Sequence, residues 1–212
     1  MSFKKGIRIL RYQGMASFIK RFFVFLSQNI FTFRTYNFYK KSLNDSEKVD
    51  LELKGRDPAL IIIHLSSELD NLIQDGFNFG PYQDVYDIRK LLNGGAILFC
   101  VFFGRNWAHT SWASIDNGLS IDPFFGKSQH QNEGYIGTCS TNPDCRGLGL
   151  YPYVLSKICE FFEIRGKTSA LISTAKNNAP SITGISKAGF YIYSDGYNLN
   201  VAGCKFWVVN KP

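Results

Sequence analysis

The middle of the chain contains a glycine-rich turn whose composition suits the binding of an anion. Residues 133–141 (EGYIGTCST) predict a strand, residues 145–150 (CRGLGL) form the turn, and the sequence that follows predicts a helix. Gly147 and Gly149 let the backbone curl closely around an anion, so that several N–H groups point inward. The start of the helix adds partial positive charge. This order of elements predicts a pocket for a pyrophosphate.

Two common phosphate-binding signatures do not describe this turn. A Walker loop requires Lys-Ser or Lys-Thr after its last glycine, and the dinucleotide fingerprint requires G-x-G-x-x-G. Gly149 is followed instead by Leu150, Tyr151 and Pro152. The sequence therefore excludes both the P-loop and the Rossmann fingerprint at this position.

The spacing resembles the acyl-CoA motif of the GCN5-related N-acetyltransferase (GNAT) superfamily. In that family a strand runs into Pro-x-x-Arg or Pro-x-x-Gln and then Gly-x-Gly-x-Gly or Ala, and residues 143–151 here read PDCRGLGLY. Residues 178–190 (NAPSITGISKAGF) are similar to the family's next motif, an Asn followed by a helix that ends in Lys-x-Gly-Phe. The resemblance implies a coenzyme-binding set of Cys139, Thr141, Arg146, Gly147, Leu148, Gly149, Leu150, Tyr151 and Asn178.

Two residues depart from the family pattern. Tyr151 stands where the family has Gly or Ala, which places a bulky ring beside the expected diphosphate. Ile185 stands where many members carry a Tyr that protonates the departing thiolate. The proton for the sulfur could therefore come from water, from Tyr151 or from Tyr191.

Acyl transfer from a thioester to an amine requires a base for the amine, a partner for the oxyanion and a proton for the sulfur. The resemblance implies that the backbone N–H of Cys139, or of its neighbour, faces the oxyanion. It also implies that Glu133 is the base, because the histone-acetylating branch carries its catalytic Glu at this spacing before the Arg. A strand without a bulge would place Glu133, Tyr135 and Cys139 on one face. His109 and His130 are the alternative bases.

Length and composition indicate one packed domain with an appendage. The chain has 212 residues, of which 45% are hydrophobic, which suffices for a substantial core. The resemblance implies an α+β (mixed α/β) GNAT fold, in which helices flank a central, mostly antiparallel twisted sheet of about six or seven strands. We predict a basic amphipathic helical extension over residues 1–45 and a GNAT acyltransferase domain over residues 46–212.

The positive charge of the chain is concentrated in the predicted extension. Residues 1–41 contain nine Lys or Arg and no acid, whereas the remainder carries 15 basic and 17 acidic residues, a net charge of −2. Residues 2–33 predict a helix broken near Gly14. Its apolar residues recur at spacings of three and four: Phe18, Ile19, Phe22, Phe23, Leu26 and Ile30. This stripe either packs on the domain or lies on an anionic membrane surface, and no nucleic-acid motif accompanies the charge.

Cysteine usage and hydropathy indicate the compartment. Five scattered cysteines without a C-x-x-C pair predict reduced thiols, with neither a disulfide framework nor a structural metal site. No apolar run reaches the roughly 18 residues that a membrane-spanning helix requires, and the N-terminus lacks a signal-peptide pattern. We therefore predict a cytoplasmic protein, peripheral at most on the inner membrane face.

These inferences predict an acetyl-CoA-dependent N-acyltransferase in which the acceptor amine attacks the thioester directly. The Leu-Tyr-Pro-Tyr junction and the basic extension resemble acyltransferases of cell-envelope polysaccharide assembly, which implies a nucleotide- or lipid-linked amino sugar as acceptor. The alternative is a non-catalytic GNAT-like CoA-binding module recruited to the membrane by its N-terminal helix. Aminoacyl transfer from tRNA would require a basic cleft, which the net charge of −2 after residue 41 disfavours. The sequence does not decide whether the protein forms a homodimer.

Overall fold

A computed structural model describes residues 31–44, 53, 58–80, 88–115, 132–201 and 204–210. The strands are β1 (Phe31–Ser42), β2 (Ala59–Ile63), β3 (Ile97–Phe103), β4 (Asn106–Ser114), β5 (Glu133–Thr141), β6 (Ser169–Ala175), β7 (Tyr191–Val201) and β8 (Cys204–Val209). The helices are α1 (Ser66–Gln74), α2 (Ile88–Asn93), α3 (Leu150–Ile164) and α4 (Ala179–Lys187). The predicted helix over residues 2–30 and the candidate base His130 lie outside the described residues.

The eight strands of the described chain form a single sheet in the order β2-β3-β4-β5-β6-β1-β7-β8. Neighbouring strands are antiparallel except for β5 and β6, which are parallel. The predicted mostly antiparallel α+β fold is confirmed. The sheet holds one strand more than the six or seven expected, because the N-terminal region contributes β1.

Strand β1 corrects the predicted helix and the domain boundary drawn at residue 45. It lies between β6 and β7 and pairs antiparallel with both. Its sequence, FTFRTYNFYKKS, is rich in Phe, Tyr and Thr, which suit a pleated strand better than a helix. Phe38 and Tyr39 are buried from opposite faces of the sheet. The helical prediction is therefore wrong for residues 31–33, and a helical extension is confined to residues 1–30.

Two of the nine N-terminal cations are engaged inside the domain. The Lys40 ammonium lies 3.0 Å from a carboxylate oxygen of Glu133 on β5. The Lys41 ammonium is buried and donates a hydrogen bond of 2.8 Å to the Ala188 carbonyl at the end of α4. The membrane surface predicted for residues 1–41 therefore cannot use these two charges, although Arg34 remains exposed.

Hydrophobic clusters lie on both faces of the sheet. Helix α3 packs on one face through Val154, Leu155 and Ile158. Its Phe162 ring lies flat on β5, since a Cβ atom on Gly134 would come within 2.5 Å of that ring. The opposite face of β2, β3 and β4 carries α1 and α2. Helix α3 follows β5 in the chain and packs on the same sheet, so the end of β5 lies next to the start of α3.

The later elements follow the prediction closely, with one correction. The sequence predicts helices over residues 68–75 and 148–165 and strands over 96–103, 109–115 and 169–173, and α1, α3, β3, β4 and β6 occur there. It predicts a strand over residues 190–193, whereas β7 continues to Val201. The sequence also predicts that residues 194–203 form a loop beside the acceptor cleft. Residues 194–201 form a strand instead, because they pair with β1 and with β8 on either side.

Candidate functional site

The parallel strands β5 and β6 separate before they end. Their pairing runs from Glu133 opposite Ser169 to Ile136 opposite Ile172. Strand β5 nevertheless continues to Thr141 and β6 to Ala175. Beyond Ile136, β5 keeps its pairing with β4 alone within the described residues. A gap therefore opens in the sheet, and one edge of residues 137–141 faces it.

A pocket of about 650 Å³ lies at this gap, between the start of α3 and the helix α4. Its lining residues are His109, Cys139, Ser140, Thr141, Cys145, Arg146, Gly147, Leu148, Gly149, Leu150, Tyr151, Pro152, Asn178, Pro180, Ser181, Thr183, Gly184 and Lys187. All nine residues of the predicted coenzyme-binding set are among them. Ser181 and Thr183 also line the pocket; both lie within residues 178–190 but carry no motif signal of their own.

The charge of the lining favours an anionic ligand. Arg146 comes from the loop, and Lys187 comes from the last turn of α4. Within the described part of the chain, no Asp or Glu contributes to this lining. Lys187 is the Lys of the Lys-x-Gly-Phe motif, so the sequence carried a signal for it.

The loop before α3 has the geometry of an anion-binding turn. A short 3₁₀ turn, Pro143–Cys145, is capped by the Asn142 side chain, which accepts a hydrogen bond of 3.2 Å from the Asp144 N–H. Gly147 and Gly149 follow with φ of 80° and 81°, a region that L side chains rarely adopt. Helix α3 begins after Gly149 without a side-chain cap. Its first N–H groups are therefore available to a ligand in the pocket.

The Tyr151 ring is accommodated by a glycine on the neighbouring helix. A Cβ atom built on Gly184 would lie 2.3 Å from Cδ1 of the ring. The Tyr151 hydroxyl lies 3.3 Å from Oγ of Ser181, also on α4. The ring therefore leans away from the loop toward α4, and the pyrophosphate turn stays open. The sequence signal that was missed is the pairing of a large residue at position 151 with glycine at position 184.

His109 forms a hydrogen-bonded link at the inner end of the pocket. Its Nδ1 lies 2.7 Å from Oγ1 of Thr141 and its Nε2 lies 2.8 Å from Oγ of Ser111. The ring centroid is 5.7 Å from that of Tyr151. Burial lowers the pKa of His109 to about 3. The imidazole is therefore neutral at physiological pH and is a poor proton acceptor, which argues against the alternative that His109 is the base.

Cys139 lies beside the same groups. Its thiol donates a hydrogen bond of 3.1 Å to the Gly137 carbonyl, and burial raises its pKa to about 11. A thiol in this state is protonated at neutral pH and is a weak nucleophile. The backbone of Cys139, rather than its sulfur, is therefore the part that suits catalysis.

Glu133 lies on the other face of β5. Ser111 pairs with Cys139 and Ala113 pairs with Ile136, so a bulge places two β5 residues opposite Trp112. Ile136 and Cys139 consequently face α3, whereas Tyr135 packs in a cluster on the opposite face. The strand is bulged between Glu133 and Cys139, so the condition for a shared face is not met and the two side chains lie on opposite faces of the sheet.

The Glu133 carboxylate has two partners on its own face. One oxygen accepts from the Lys40 ammonium at 3.0 Å, and the other accepts from the Tyr135 hydroxyl at 3.0 Å. The residue is 8% exposed. Its role as the base stays a prediction.

The two tyrosines considered as proton donors for the sulfur differ in their position relative to the pocket. Ile185, at the family's usual Tyr position, is fully buried in the core. Tyr191 is 54% exposed and does not line the pocket. Tyr151 lines it. Of the two tyrosines considered, Tyr151 alone is in reach of a pocket ligand.

Other types of site are not indicated in the described residues. No cluster of three or more His, Cys, Asp or Glu side chains there is suited to a metal ion. Among the same residues, no helix combines the length and the apolar character needed to span a bilayer. The five cysteines are free thiols.

Comparison with solved structures identifies the fold. A tandem GNAT protein from the clavulanic acid biosynthesis pathway superposes with a TM-score of 0.51 and 12% identity, over 91% of this chain and 59% of that chain. A Drosophila protein superposes with a TM-score of 0.52 and 10% identity, over 88% of this chain and 58% of that chain. A functionally unknown conserved protein from Staphylococcus epidermidis superposes with a TM-score of 0.50 and 9% identity, over 85% of this chain and 66% of that chain.

The similarity to the tandem GNAT protein shows that the chain has the GNAT fold, as the motifs predict. The chain spans 58–66% of the length of these solved structures. No protein-family model matches the sequence, and no curated protein matches it.

Proposed function

We propose that this protein is an acyl-CoA-dependent N-acyltransferase that transfers an acetyl group from acetyl-CoA to an amine. The observation that carries the proposal is that three separate segments of the motif, residues 139–141, 146–151 and Asn178, line one cationic pocket at the divergence of β5 and β6. Acetyl-CoA offers two features that this pocket suits: an anionic diphosphate and a long polar arm with amide groups.

The diphosphate fits the loop between β5 and α3. Gly147 carries no side chain that would keep an anion from the backbone, and a Cβ atom there would meet nothing within 4 Å. The N–H groups at the start of α3 and the Arg146 guanidinium supply hydrogen bonds and positive charge. The amide-bearing arm fits the gap in the sheet, where the edge of residues 137–141 offers backbone partners.

The proposed chemistry is attack of the amine nitrogen on the thioester carbon. A backbone N–H at or beside Cys139 stabilises the oxyanion, since the bulge leaves backbone groups there outside the regular ladder. Glu133 accepts the amine proton. It lies four residues before the gap, which is about 13 Å along a strand, so the proton passes through water rather than directly.

We further propose that the acceptor is an amino sugar on a nucleotide or lipid carrier. The support is the resemblance of the Leu-Tyr-Pro-Tyr junction to acyltransferases of cell-envelope polysaccharide assembly. We also propose that residues 1–30 bring the protein to the cytoplasmic membrane face, since six Lys or Arg fall in this stretch and no acid does.

The experiment that tests donor binding is a thermal-shift titration with acetyl-CoA. At a hundredfold excess over Kd, a ligand specific for the native state stabilises it by about 2.7 kcal/mol, which is roughly 5–10 °C for a domain of this size. Arg146→Glu is expected to abolish the shift, because a carboxylate then meets the diphosphate. Arg105→Glu is the control, since Arg105 is exposed and lies outside the pocket.

An unchanged melting temperature of the wild-type protein at millimolar acetyl-CoA would contradict the proposal. The alternative function, a CoA-binding module without catalysis, predicts a shift that Arg146→Glu abolishes, together with no thiol release from acetyl-CoA for any amine tested. Ile185 at the position of the family's proton donor favours that alternative, and thiol release with free or UDP-linked amino sugars decides between the two.

A further inference from the structure

Thiolate departure poses a problem that Ile185 cannot solve. The C–S bond of a thioester breaks most easily when the sulfur receives a proton as it leaves. Ile185 has no proton to give and is fully buried. If the protein is catalytic, either solvent or another side chain in the pocket must supply the proton.

The geometry of a thioester restricts where such a donor lies. Its oxygen and sulfur are bonded to the same carbon, so the group that protonates the sulfur must be close to the group that binds the oxyanion. The Tyr151 hydroxyl meets this condition, since the Tyr151 side chain lines the pocket together with Cys139, which carries the proposed oxyanion donor. It also lies 3.3 Å from Oγ of Ser181.

The ring is held in this position by two neighbours. Gly184 clears the space that the ring occupies on α4, because any Cβ there would overlap it. The His109 ring also lies beside it, at a centroid distance of 5.7 Å and tilted by 33°. His109 is itself fixed by Thr141 and Ser111. The position of the Tyr151 ring in the pocket is therefore defined by contacts with α4 and with His109 on β4.

We propose that Tyr151 is the catalytic acid that protonates the departing thiolate, so that the function of the family's α4 tyrosine has moved to the first turn of α3. The assignment rests on the proposed acyltransferase activity and adds to it a residue that the motif does not supply. Tyr151 and Gly184 act as a pair in this proposal, since the glycine on α4 gives the displaced phenol its room.

The proton balance of the step is complete. The amine nitrogen forms a bond to the acyl carbon, the C–S bond breaks, and the sulfur takes the proton from the Tyr151 oxygen. The phenolate regains a proton from water through the Ser181 hydroxyl, which lies within hydrogen-bond distance. The amine gives up its proton to the base, and the base returns it to the water that re-protonated Tyr151, so the products are an amide and a free thiol. No further reactant is required.

The ionisation state of the phenol is compatible with this role. Burial raises the pKa of Tyr151, so the hydroxyl stays protonated at neutral pH. Its titratable neighbours are Cys139, which its own raised pKa keeps neutral, and His109, which its lowered pKa keeps neutral. Tyr39 on β1 also faces it. No charged group among these competes for the phenolic proton.

The test is Tyr151→Phe, which keeps the ring against Gly184 and His109 and removes only the hydroxyl. Thiol release from acetyl-CoA is measured with glucosamine and UDP-glucosamine as acceptors, and with water alone. We expect kcat to fall by about 10²-fold or more, the range for loss of a general acid. KM for acetyl-CoA and the thermal shift with CoA are expected to stay as in the wild type, because the pocket keeps its shape.

Two controls make the result specific. Tyr191→Phe removes an exposed phenol outside the pocket and is expected to leave kcat unchanged. Ser181→Ala leaves the Tyr151 hydroxyl in place and is expected to cost less than Tyr151→Phe. If Tyr151→Phe shows the wild-type kcat with an intact CoA shift, the assignment is overturned and the transferase proposal stands. If the wild-type protein shows no CoA shift, both are overturned.

Discussion

Two regions of the chain contribute to the site differently: one supplies its lining residues, and the other holds the surrounding strands together. Residues 133–190 run through strand, loop, helix, strand and helix in chain order, and the pocket forms where these neighbours in sequence meet. Strand β1 arrives from far away: Phe38 pairs with Ser173, which is 135 residues later in the chain. The first region carries nearly all the lining residues. The second carries none, yet it joins β6 to β7 through hydrogen bonds.

The difference teaches where a local motif stops being sufficient. Helix α4 connects β6 to β7 along the chain, but between these strands the sheet is continuous only through β1. The placement of α4, and with it one wall of the pocket, therefore depends on a segment that carries no motif. Breaking this dependence gives the largest effect that we expect.

The first prediction concerns the boundary of the folded unit. A chain that begins at residue 31 keeps all eight strands and is expected to unfold cooperatively. A chain that begins at residue 46 lacks β1 and with it the buried side chains Phe38 and Tyr39. Loss of two such side chains costs about 6–10 kcal/mol at 3–5 each. This is comparable to the whole free energy of unfolding of a typical protein. Circular dichroism during urea titration measures the difference.

The chain that begins at residue 31 is the matched control, since the two differ only by β1 and the connection after it. A cooperative transition of the shorter chain at the same urea concentration would show that β1 is dispensable. In that case the pocket-forming region would be an independent unit after all.

How far the sequence predicts the molecule follows the same division. The pocket residues were predictable because glycine at positive φ, a helix start and a capping Asn178 are short-range features. Strand β1 could not be predicted in the same way. Apolar residues recur at every third or fourth position up to Ile30, which favours a helix, and no local feature indicates a partner strand 135 residues away. The sequence left open whether β5 contains a bulge, and this bulge decides that Glu133 and Cys139 lie on opposite faces of the sheet.

The second prediction probes the contact between the two regions, the ion pair of Lys40 and Glu133. If Glu133 is the base, Glu133→Gln lowers kcat by about 10²–10⁴-fold, while the thermal shift with CoA persists because the donor pocket is on the other face. Steady-state thiol release from acetyl-CoA with an amino-sugar acceptor measures it. Glutamine keeps the size of the side chain and can still accept from the Tyr135 hydroxyl.

Lys40→Met is the matched variant for this prediction. It breaks the same ion pair from the β1 side and leaves the carboxylate in place. We expect it to lower the free energy of unfolding about as much as Glu133→Gln, roughly 1–3 kcal/mol, and to lower kcat far less. Equal rate losses in the two variants would mean that Glu133 serves only to tie β5 to β1.

The third prediction tests how closely α3 and α4 depend on each other within the pocket-forming region. Gly184→Ala is expected to lower the free energy of unfolding by about 1–3 kcal/mol, the range for overpacking, because the new Cβ overlaps the Tyr151 ring. Helix propensity alone would favour alanine by about 0.5–1 kcal/mol. Urea denaturation therefore distinguishes even the sign of the two effects.

The double variant isolates the contact. In a Tyr151→Ala background the overlap is gone, so Gly184→Ala is expected to be neutral or stabilising. The interaction energy of such a pair lies between about 0.5 and 3 kcal/mol. Additive effects of the two substitutions would show that the ring and the glycine do not share the space that the structure assigns to them.

The last prediction concerns His109 on β4, which is hydrogen-bonded to Thr141 on β5 and lines the pocket. Its pKa is about 3 in the native protein, because it is buried, against about 6.5 when unfolded. The unfolded chain therefore binds one more proton between these values, and stability falls as pH decreases from about 6.5 toward 3. The slope from this residue approaches about 1.4 kcal/mol per pH unit. Above pH 6.5 both states are neutral, and the contribution is constant.

His109→Asn is expected to remove this slope, since the amide does not titrate. Unfolding by urea at pH 6.5, 6.0, 5.5 and 5.0 measures it in a range where most carboxylates stay ionised in both states. A wild-type slope that the variant reproduces would mean that water reaches the imidazole and that the inner end of the pocket is more open than the structure has it.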